Sequence, residues 1–550
     1  MIGHPLSGPV AGGSGGLAGS RDTPEGTSAR RRESLQLTAV LVAAFALRLG
    51  LGLLQPPEAD EATLGYAALR IAHGHLILME SNAHYLGAAG AYLAAPFVSL
   101  LGTSTLALRL PMSLVGAGYV ALTYALGRAV FSNHRGGLRA AAVAAVFPLF
   151  AVLFPVRALW AYGEVLPLET LLLLLTVRIG WRGAGSRADW LTLGLVTGLG
   201  LWVTPLLVVV LAPCGLALLL RAGVLGWGQV GRGAVLGAAG ALLGYTPWLV
   251  YNLLHRGASL HGLAGDRVGR LTAARQVLNA AIPIFSGAVR TCGAPQTVPS
   301  ALAVLGVGGL LLAALATSRE PLGRLLHGQL AAAEPLHLVL LVAPVSLASV
   351  TLSGFNGVSC EPRYLLPLAL PLVLAAAAVL GRWRLSATTL LAAWVVVESI
   401  TVARTPQVGA ATSTGAPVPV DVGRFAAALE ARHLPSVYAD YWLERPLLYA
   451  GGGRLLMGEY NGFVGFPGVQ AAADAQAHPS WLFVQGDPTA QTFEAACRRR
   501  GVGFQRSEFG GLVLYASLTS ALRPSDLGLR VDQSRYPLGP AAEDSAGPDR

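Results

Sequence analysis

Leu35-Gln-Leu-Thr-Ala-Val-Leu-Val-Ala-Ala-Phe-Ala-Leu-Arg48-Leu-Gly-Leu-Gly-Leu-Leu54 is followed at once by Gln55-Pro-Pro-Glu58-Ala-Asp60-Glu61, an apolar run that ends in acids. A helix rises about 1.5 Å per residue, so ~20 such residues cover the ~30 Å hydrocarbon core of a bilayer. The run is too long for a signal-peptide core and no small-residue cleavage site precedes Gln55, so we expect a retained signal anchor. Glu58, Asp60 and Glu61 then stand at the membrane–water boundary, where a charge costs less than in lipid. A carboxylate held there meets a substrate that arrives dissolved in the membrane.

Composition carries the same reading along the chain. Hydrophobic residues make up 53% of the 550 and charged residues 12%, with apolar runs recurring to about Val402. A soluble chain of this length would be richer in charge, and a β-barrel would show alternating segments of ~10 residues instead. The formal charge of +10 comes from 39 basic residues, every one an arginine. They cluster between apolar runs, the pattern that orients membrane helices rather than a nucleic-acid patch.

Those clusters order the spans. Arg128, Arg135 and Arg139 separate Leu110–Gly127 from Ala140–Val156, and Arg178, Arg182 and Arg187 follow Val165–Ile179. Both clusters join Arg30–Arg32 on the cytoplasmic side only if Leu86–Gly102, interrupted by Gly87, Gly90 and Pro96, does not cross. We expect it to be re-entrant or interfacial, which leaves Glu164 on the same outer face as Asp60. Trp190–Leu220, divided at Thr204-Pro205, makes two spans, and Ala234–Tyr251, Ala301–Thr317, Leu336–Leu352, Tyr364–Leu380 and Leu385–Val402 follow. The total is about eleven.

The expected organisation is a disordered cytoplasmic tail over residues 1–34, a membrane domain over 35–403, an extracytoplasmic α/β domain over 404–522 and a disordered tail over 523–550. Outer loops fall at 55–109, 157–164, 252–299 and 353–363. In the C-terminal domain, Val437–Trp442 and Trp481–Gln485 read as strands, Arg424–Arg432 and Thr489–Arg500 as helices, and Gly503–Tyr515 as a hairpin. Cys214 is an apolar filler within a span. Cys292, Cys360 and Cys497 are expected outside, where a disulfide between the first two is permitted and unpaired thiols are equally compatible.

The segment Asp60-Glu61-Ala-Thr-Leu-Gly-Tyr66-Ala-Ala-Leu-Arg70-Ile-Ala-His73-Gly74 reads as a helix with acids at its positive end. On its own that is also what a cap and a first-turn acid look like. The order Asp-Glu, Tyr66, Arg70 and Gly74, with Arg109-Leu-Pro111 and Arg363-Tyr364-Leu-Leu-Pro367 further on, resembles the GT-C membrane glycosyltransferases. More narrowly it is similar to the dolichyl-phosphate-mannose protein mannosyltransferase and lipid A aminoarabinose transferase branch. The resemblance implies a polytopic α-helical membrane protein with a GT-C-like fold and a small C-terminal extracytoplasmic α/β domain. It places the family's second acid at Glu164 or Glu169, of which Glu164 is preferred. The sequence departs from the family's Lys-Pro-Pro at Ser81-Asn-Ala-His84-Tyr85.

The implied activity is transfer of a sugar from a polyprenyl-phosphate donor to a glycan, lipid or protein acceptor, by inverting single displacement on the outer face. The donor's phosphate departs as an anion, so one carboxylate base and one or more cations suffice, unlike the two carboxylates of a glycosidase. Asp60 is the candidate base, with Glu61 and Glu164 as the other acids. Arg363 is the candidate phosphate ligand, with Tyr364, Arg70 and Tyr66 around the substrate, while Arg157 reads more simply as a snorkelling helix-end residue. No cofactor is expected, and a divalent metal on His73, His75, His84 and Glu80 is the minority alternative, because their spacing matches no closed zinc pattern. Arg48 and Glu398 lie within spans and are able to pair with each other. The localisation implied is the plasma (inner) membrane, N-terminus cytoplasmic, with membrane lipids and no nucleic acid as partners. A transporter or flippase of envelope lipids and a non-catalytic envelope scaffold are the alternatives; no internal repeat of the kind transporters carry is evident.

Overall fold

The computed structural model describes residues 24–81, 83–183, 185–260, 267–288, 297–355, 362–383, 410–419, 421–529 and 531–532. The expected terminal tails over 1–23 and 533–550, the span Leu385–Val402 with Glu398, and Cys292 and Cys360 lie outside the described residues.

The opening apolar run is the later part of a 30-residue helix, α1 (Pro24–Leu53), which reaches back into the stretch expected to be tail. After Pro56-Pro57 the chain re-enters a helix, α2 (Ala59–Ala72), then a short hairpin of β1 (Met79–Glu80) and β2 (Ala83–Gly87). The stretch Leu86–Gly102 divides between β2 and α3 (Ala89–Leu101), a 13-residue helix. That length covers roughly 20 Å, short of the hydrocarbon core. The Ser104 hydroxyl caps α4 (Thr105–Phe131), a long helix that tolerates Pro111. The bundle continues through α5 (His134–Val146), α6 (Leu149–Leu153), α7 (Tyr162–Trp181), α8 (Arg187–Val203), α9 (Val208–Leu225), α10 (Trp227–Gly244) and α11 (Thr246–Leu254). It closes with α12 (Arg270–Gln276), α13 (Ile282–Ser286), α14 (Thr297–Thr317), α15 (Arg319–Leu326), α16 (Pro335–Ser353), a 3-10 segment at Pro362–Leu368, and α17 (Ala369–Trp383).

Among the described residues, six helices are long and apolar enough to cross a membrane: 31–53, 105–131, 205–225, 298–317, 335–353 and 362–382. The pair α10 and α11, bent by 51°, makes a seventh if it is one span. Other expected spans fall on α5, α7 and α8, whose charges or lengths keep them off that count. Arg48, inside α1, donates to the carbonyls of Ala145 and Ala144 at 2.8 Å each. Those carbonyls belong to the last turn of α5, which has no helical donors beyond Val146.

The helices α8 and α10 meet through glycine. A Cβ on Gly194, Gly198, Gly240 or Gly244 would strike backbone atoms of the facing helix. Where lipid is as apolar as leucine, such close backbone approach replaces the hydrophobic effect as the packing force.

The C-terminal region is a five-stranded sheet in the order β4 (Met457–Glu459), β3 (Val437–Ala439), β6 (Ser480–Val484), β8 (Leu512–Ala516), β7 (Gln505–Phe509). The pairs of β3 with β4 and β6 are parallel, and the pairs of β8 with β6 and β7 antiparallel. A separate two-stranded pair joins β5 (Gly462–Phe463) to β9 (Val531–Asp532). Side chains alternate across the sheet. Tyr438, Trp481, Phe483 and Tyr515 pack on one face with Phe493. Val437, Ala439, Leu482, Leu512 and Leu514 build the other, and Tyr66 of α2 is buried among them. The expected strand Val437–Trp442 stops at Ala439, because Asp440 caps a helix over Tyr441–Ala450 by accepting from the Trp442 amide. Beyond Arg523, where a tail was expected, Pro524–Leu527 forms a 3-10 turn and Leu527 is buried.

Because the neighbours at Gly198 are backbone, they cannot move aside. Gly198→Leu should remove most of the folded protein from detergent extracts, whereas Gly118→Leu, with open space around it, should leave the melting temperature unchanged. Thermal unfolding of the two purified variants checks this.

Candidate active site

The turn between α1 and α2 is built around one cation. Arg109, fully buried in the first turns of α4, donates Nε to Glu61 Oε1 at 2.8 Å and an Nη to Glu61 Oε2 at 2.7 Å. Its remaining donors reach the carbonyls of Gly52 and Gln55, at 2.6 Å each, and Pro56 at 3.2 Å. Glu61 is therefore committed on both oxygens to a structural ion pair, which removes it from the candidate acids. Glu58 pairs with Arg157, so Arg157 is a second tie on this turn rather than a snorkelling side chain.

Fixing α2 in this way aims Asp60 differently from its neighbour. Asp60 is half-buried, and its Oδ1 accepts a 2.6 Å hydrogen bond from the hydroxyl of Tyr441, 381 residues away on the C-terminal domain. Glu80 of β1 lies within electrostatic reach of Asp60, and also of Glu164 in the first turn of α7. Glu80 and Glu164 are both buried, and among the described residues none of their four carboxylate oxygens has a hydrogen-bond partner. Burial first, then the charges of Glu164 and Asp60, push Glu80 up to about 8. Gly90 on α3 makes room for this arrangement: a Cβ there would lie 2.9 Å from Glu164 Oε1 and 2.9 Å from Leu64. Glu169, a turn and a half deeper on α7, is also buried, and neither of its oxygens has a hydrogen-bond partner among the described residues.

Four residues before Glu164 begins a cation cage. Arg363, at the start of the 3-10 segment before α17, has its guanidinium carbon 5.1 Å from the ring centre of Trp160, 5.3 Å from Tyr162 and 5.4 Å from Tyr364. Ring faces attract a cation by their quadrupole, and they also fix the plane of the guanidinium. Trp160 holds its place with φ 48°, a left-handed conformation unusual for a bulky residue. Tyr85 of β2 lies beside Tyr162, Tyr364 and Arg363, and burial pushes its hydroxyl up to about 12, which keeps it neutral.

The remaining sequence candidates are placed elsewhere. Tyr66, expected near the substrate, is placed in the packing of the C-terminal domain on α2, with its ring edge-on against Phe466 at 4.7 Å. Arg70 is in the last turn of α2, about 15 Å along the helix from Asp60 at ~1.5 Å per residue, while Glu58 and Glu61 at the other end are bound to Arg157 and Arg109. His73 is exposed and bonds to the Leu69 carbonyl. His84 bonds through Nδ1 to the Tyr251 hydroxyl at 3.0 Å, and burial, followed by repulsion from His255, lowers it to about 4, so it is neutral at pH 7. Among the described residues, no group of three or more His, Cys, Asp or Glu has the arrangement to hold a metal ion. Cys214 and Cys497 are buried free thiols.

The sequence model of the dolichyl-phosphate-mannose-protein mannosyltransferase family matches residues 87–251, less than a third of the chain. In three dimensions the likeness extends further. The crystal structure of ArnT from Cupriavidus metallidurans in the apo state superposes with a TM-score of 0.57 over 89% of this chain and 98% of that one, at 13% identity. The chain has the GT-C fold. The same ArnT bound to undecaprenyl phosphate gives a TM-score of 0.46 at 14% identity, covering 88% and 98% of the two chains. The oligosaccharyltransferase AglB from Archaeoglobus fulgidus, in complex with an inhibitory peptide and a dolichol-phosphate, gives 0.48 at 12% identity, covering 89% and 74%. No curated protein matches the sequence. Within this GT-C fold, the acids and the arginine cage come from the loops at one end of the bundle, where the C-terminal domain also sits.

Tyr441, the Trp160–Tyr162 cage and the Arg109 clamp escaped the sequence reading, and Glu80 was read there only as a possible metal ligand. A signal existed for two of them: aromatic residues crowd just ahead of Glu164, and Arg109 follows Glu61 by 48 residues, within the same expected outer loop.

Two outcomes test this geometry. Breaking a buried pair strands the other charge at a cost of about 3–5 kcal/mol. Glu61→Gln should therefore lower the melting temperature sharply, whereas Asp60→Asn should not, as read by thermal denaturation of each variant. Glu80 binds its proton more tightly folded than unfolded, so its contribution is fully present at low pH and is lost as pH rises from about 4.5 toward about 8. Wild-type stability should fall across that window, and Glu80→Gln should flatten the fall in a series of denaturation curves from pH 5 to 8.5.

Proposed function

We propose that this chain is an integral membrane glycosyltransferase that moves a sugar from a polyprenyl-phosphate donor to an acceptor hydroxyl at the extracytoplasmic face. The observation that carries the reading is that, in a GT-C fold, Gly90 lies against both Leu64, on the helix that bears the half-buried Asp60, and the carbonyl of Trp160, a ring of the cage around Arg363. The matched family is described by its donor, dolichyl-phosphate mannose, and its acceptor, protein, which makes a lipid-linked mannose the first donor to try. The arginine clusters between helices support a plasma-membrane protein with its N-terminus cytoplasmic and its C-terminal domain outside.

In this mechanism Asp60 accepts the proton of the attacking hydroxyl as the new glycosidic bond forms with inversion. The bond to the lipid phosphate breaks in the same step, and the phosphate leaves as an anion without needing an acid. Arg363 receives that anion through its planar donors, with Tyr364 and Tyr85 as neighbouring hydroxyls. Glu80 lies near Asp60, where any negative charge it carries raises the proton affinity of the base, and Glu164 lies near Glu80 in turn. Glu61, Tyr66 and Arg70 are left out of the reacting set.

Asp60→Asn keeps size while removing the proton acceptor, and should reduce sugar transfer from dolichyl-phosphate mannose ~10²–10⁴-fold, the usual contribution of a general base. Arg363→Lys should weaken use of the donor, because an ammonium does not reproduce the planar fork. Transfer by the Asp60→Asn protein at the wild-type rate would sink the assignment and make Glu164 the next base to test.

A further inference from the structure

We infer that Tyr441 is a positioning residue for Asp60: a hydroxyl supplied by the C-terminal domain holds that carboxylate in one orientation and ties turnover to the seating of the domain. The inference rests on the reading of Asp60 as the proton acceptor. Its own evidence is the 2.6 Å hydrogen bond from Tyr441 to Oδ1, short enough to be charge-assisted.

Tyr441 is itself held on several sides. It is the first residue of the Tyr441–Ala450 helix, directly after its cap Asp440, whose other oxygen accepts from Asn461 at 2.7 Å. Its ring, 7% exposed, packs edge-on against Trp442 at 5.3 Å. The Arg445 guanidinium lies 5.6 Å from that ring and 4.7 Å from Phe466, and is fixed in turn by Glu444 and Glu459. A buried tripod of charges thus stands behind a single hydroxyl, which also meets the side chain of Thr63 on α2. The domain is seated close by through independent contacts. Thr103 donates to the Ala450 carbonyl at 3.1 Å, Tyr449 donates to the Ser104 carbonyl at 3.2 Å, and Tyr449 lies flat over Gly65. Adhesion therefore has other sources, and of these interdomain contacts it is the Tyr441 hydroxyl that reaches the carboxylate.

The charges around Asp60 give the bond a chemical consequence. Glu80 from β1 faces Asp60 and is itself faced by Glu164 from α7, Glu61 on the Asp60 helix is neutralised by Arg109, and Arg445 stands behind Tyr441. A donor on the charged form of a carboxylate favours that form. Without it, Asp60 holds its proton to higher pH.

The test uses the purified full chain with radiolabelled dolichyl-phosphate mannose and a cell-envelope extract as acceptor source. Rates are measured from pH 5 to 9 for wild type, Tyr441→Phe, Tyr449→Phe and Asp60→Asn. Tyr441→Phe keeps the ring and should move the acidic limb of the kcat profile to higher pH, with a roughly tenfold loss of kcat on that limb and donor KM unchanged. Tyr449→Phe removes an interdomain hydrogen bond of similar burial and should keep the wild-type profile. A Tyr441→Phe profile identical to wild type, with Asp60→Asn inactive, overturns the positioning role and leaves the base intact. Equal shifts in both tyrosine variants overturn it too, since domain seating alone would then account for the effect. Wild-type transfer by Asp60→Asn defeats the reading on which the inference rests.

Discussion

Glu61 and Arg109 are both removed from water, and a charge in that position is tolerated only when its partner and its spare hydrogen-bonding groups are all satisfied. Here they are: two bonds join the pair, and three carbonyls of the turn between the first two helices take the remaining guanidinium donors. One arginine thereby fixes the end of α1, the Pro56-Pro57 turn, the start of α2 and the start of α4. The position of Asp60 is a consequence, because it is the next residue on a helix whose register the ion pair has set. The Glu58–Arg157 pair extends the same constraint to the loop that leads into α7, and through it to the cage around Arg363.

The site separates its charges. Carboxylates gather between β1, α2 and α7, while the rings of Trp160, Tyr162 and Tyr364 stand around the Arg363 guanidinium and orient it. The oxygens of Glu80 and Glu164, without hydrogen-bond partners among the described residues, are the cost of this layout. Burying an ionised group unpaired is expensive, and Glu80, raised to about 8, relieves that cost by keeping its proton at neutral pH.

The C-terminal sheet is completed by the membrane part of the molecule. One of its faces closes on its own aromatic residues, whereas the other includes Tyr66 of α2 in its core. The helix that bears Asp60 is thus shared by the membrane bundle and by the sheet domain, and motion of either is felt at the carboxylate.

What the sequence determined by itself is what depends on neighbours along the chain. Twenty apolar residues span a bilayer wherever they occur, arginine clusters orient the spans, and the Asp60-Glu61, Arg109-Leu-Pro111 and Arg363-Tyr-Leu-Leu-Pro367 segments carried the resemblance to the GT-C group that the fold bears out. Strand and helix limits in the C-terminal domain were legible where periodicity ran long, as in Trp481–Gln485 and Thr489–Arg500. They were misread at Tyr441-Trp442, where two aromatics suggested a strand and a capping aspartate made a helix. Only the tertiary structure decided how adjacent acids divide their work. Glu61 turns to Arg109 and Asp60 to a tyrosine 381 residues on, and nothing in the local pattern distinguishes them. The reason is physical: apolar burial is non-directional and accumulates over a segment, so composition reveals it, whereas a buried polar group is settled by one partner at one distance, which only the packed chain supplies.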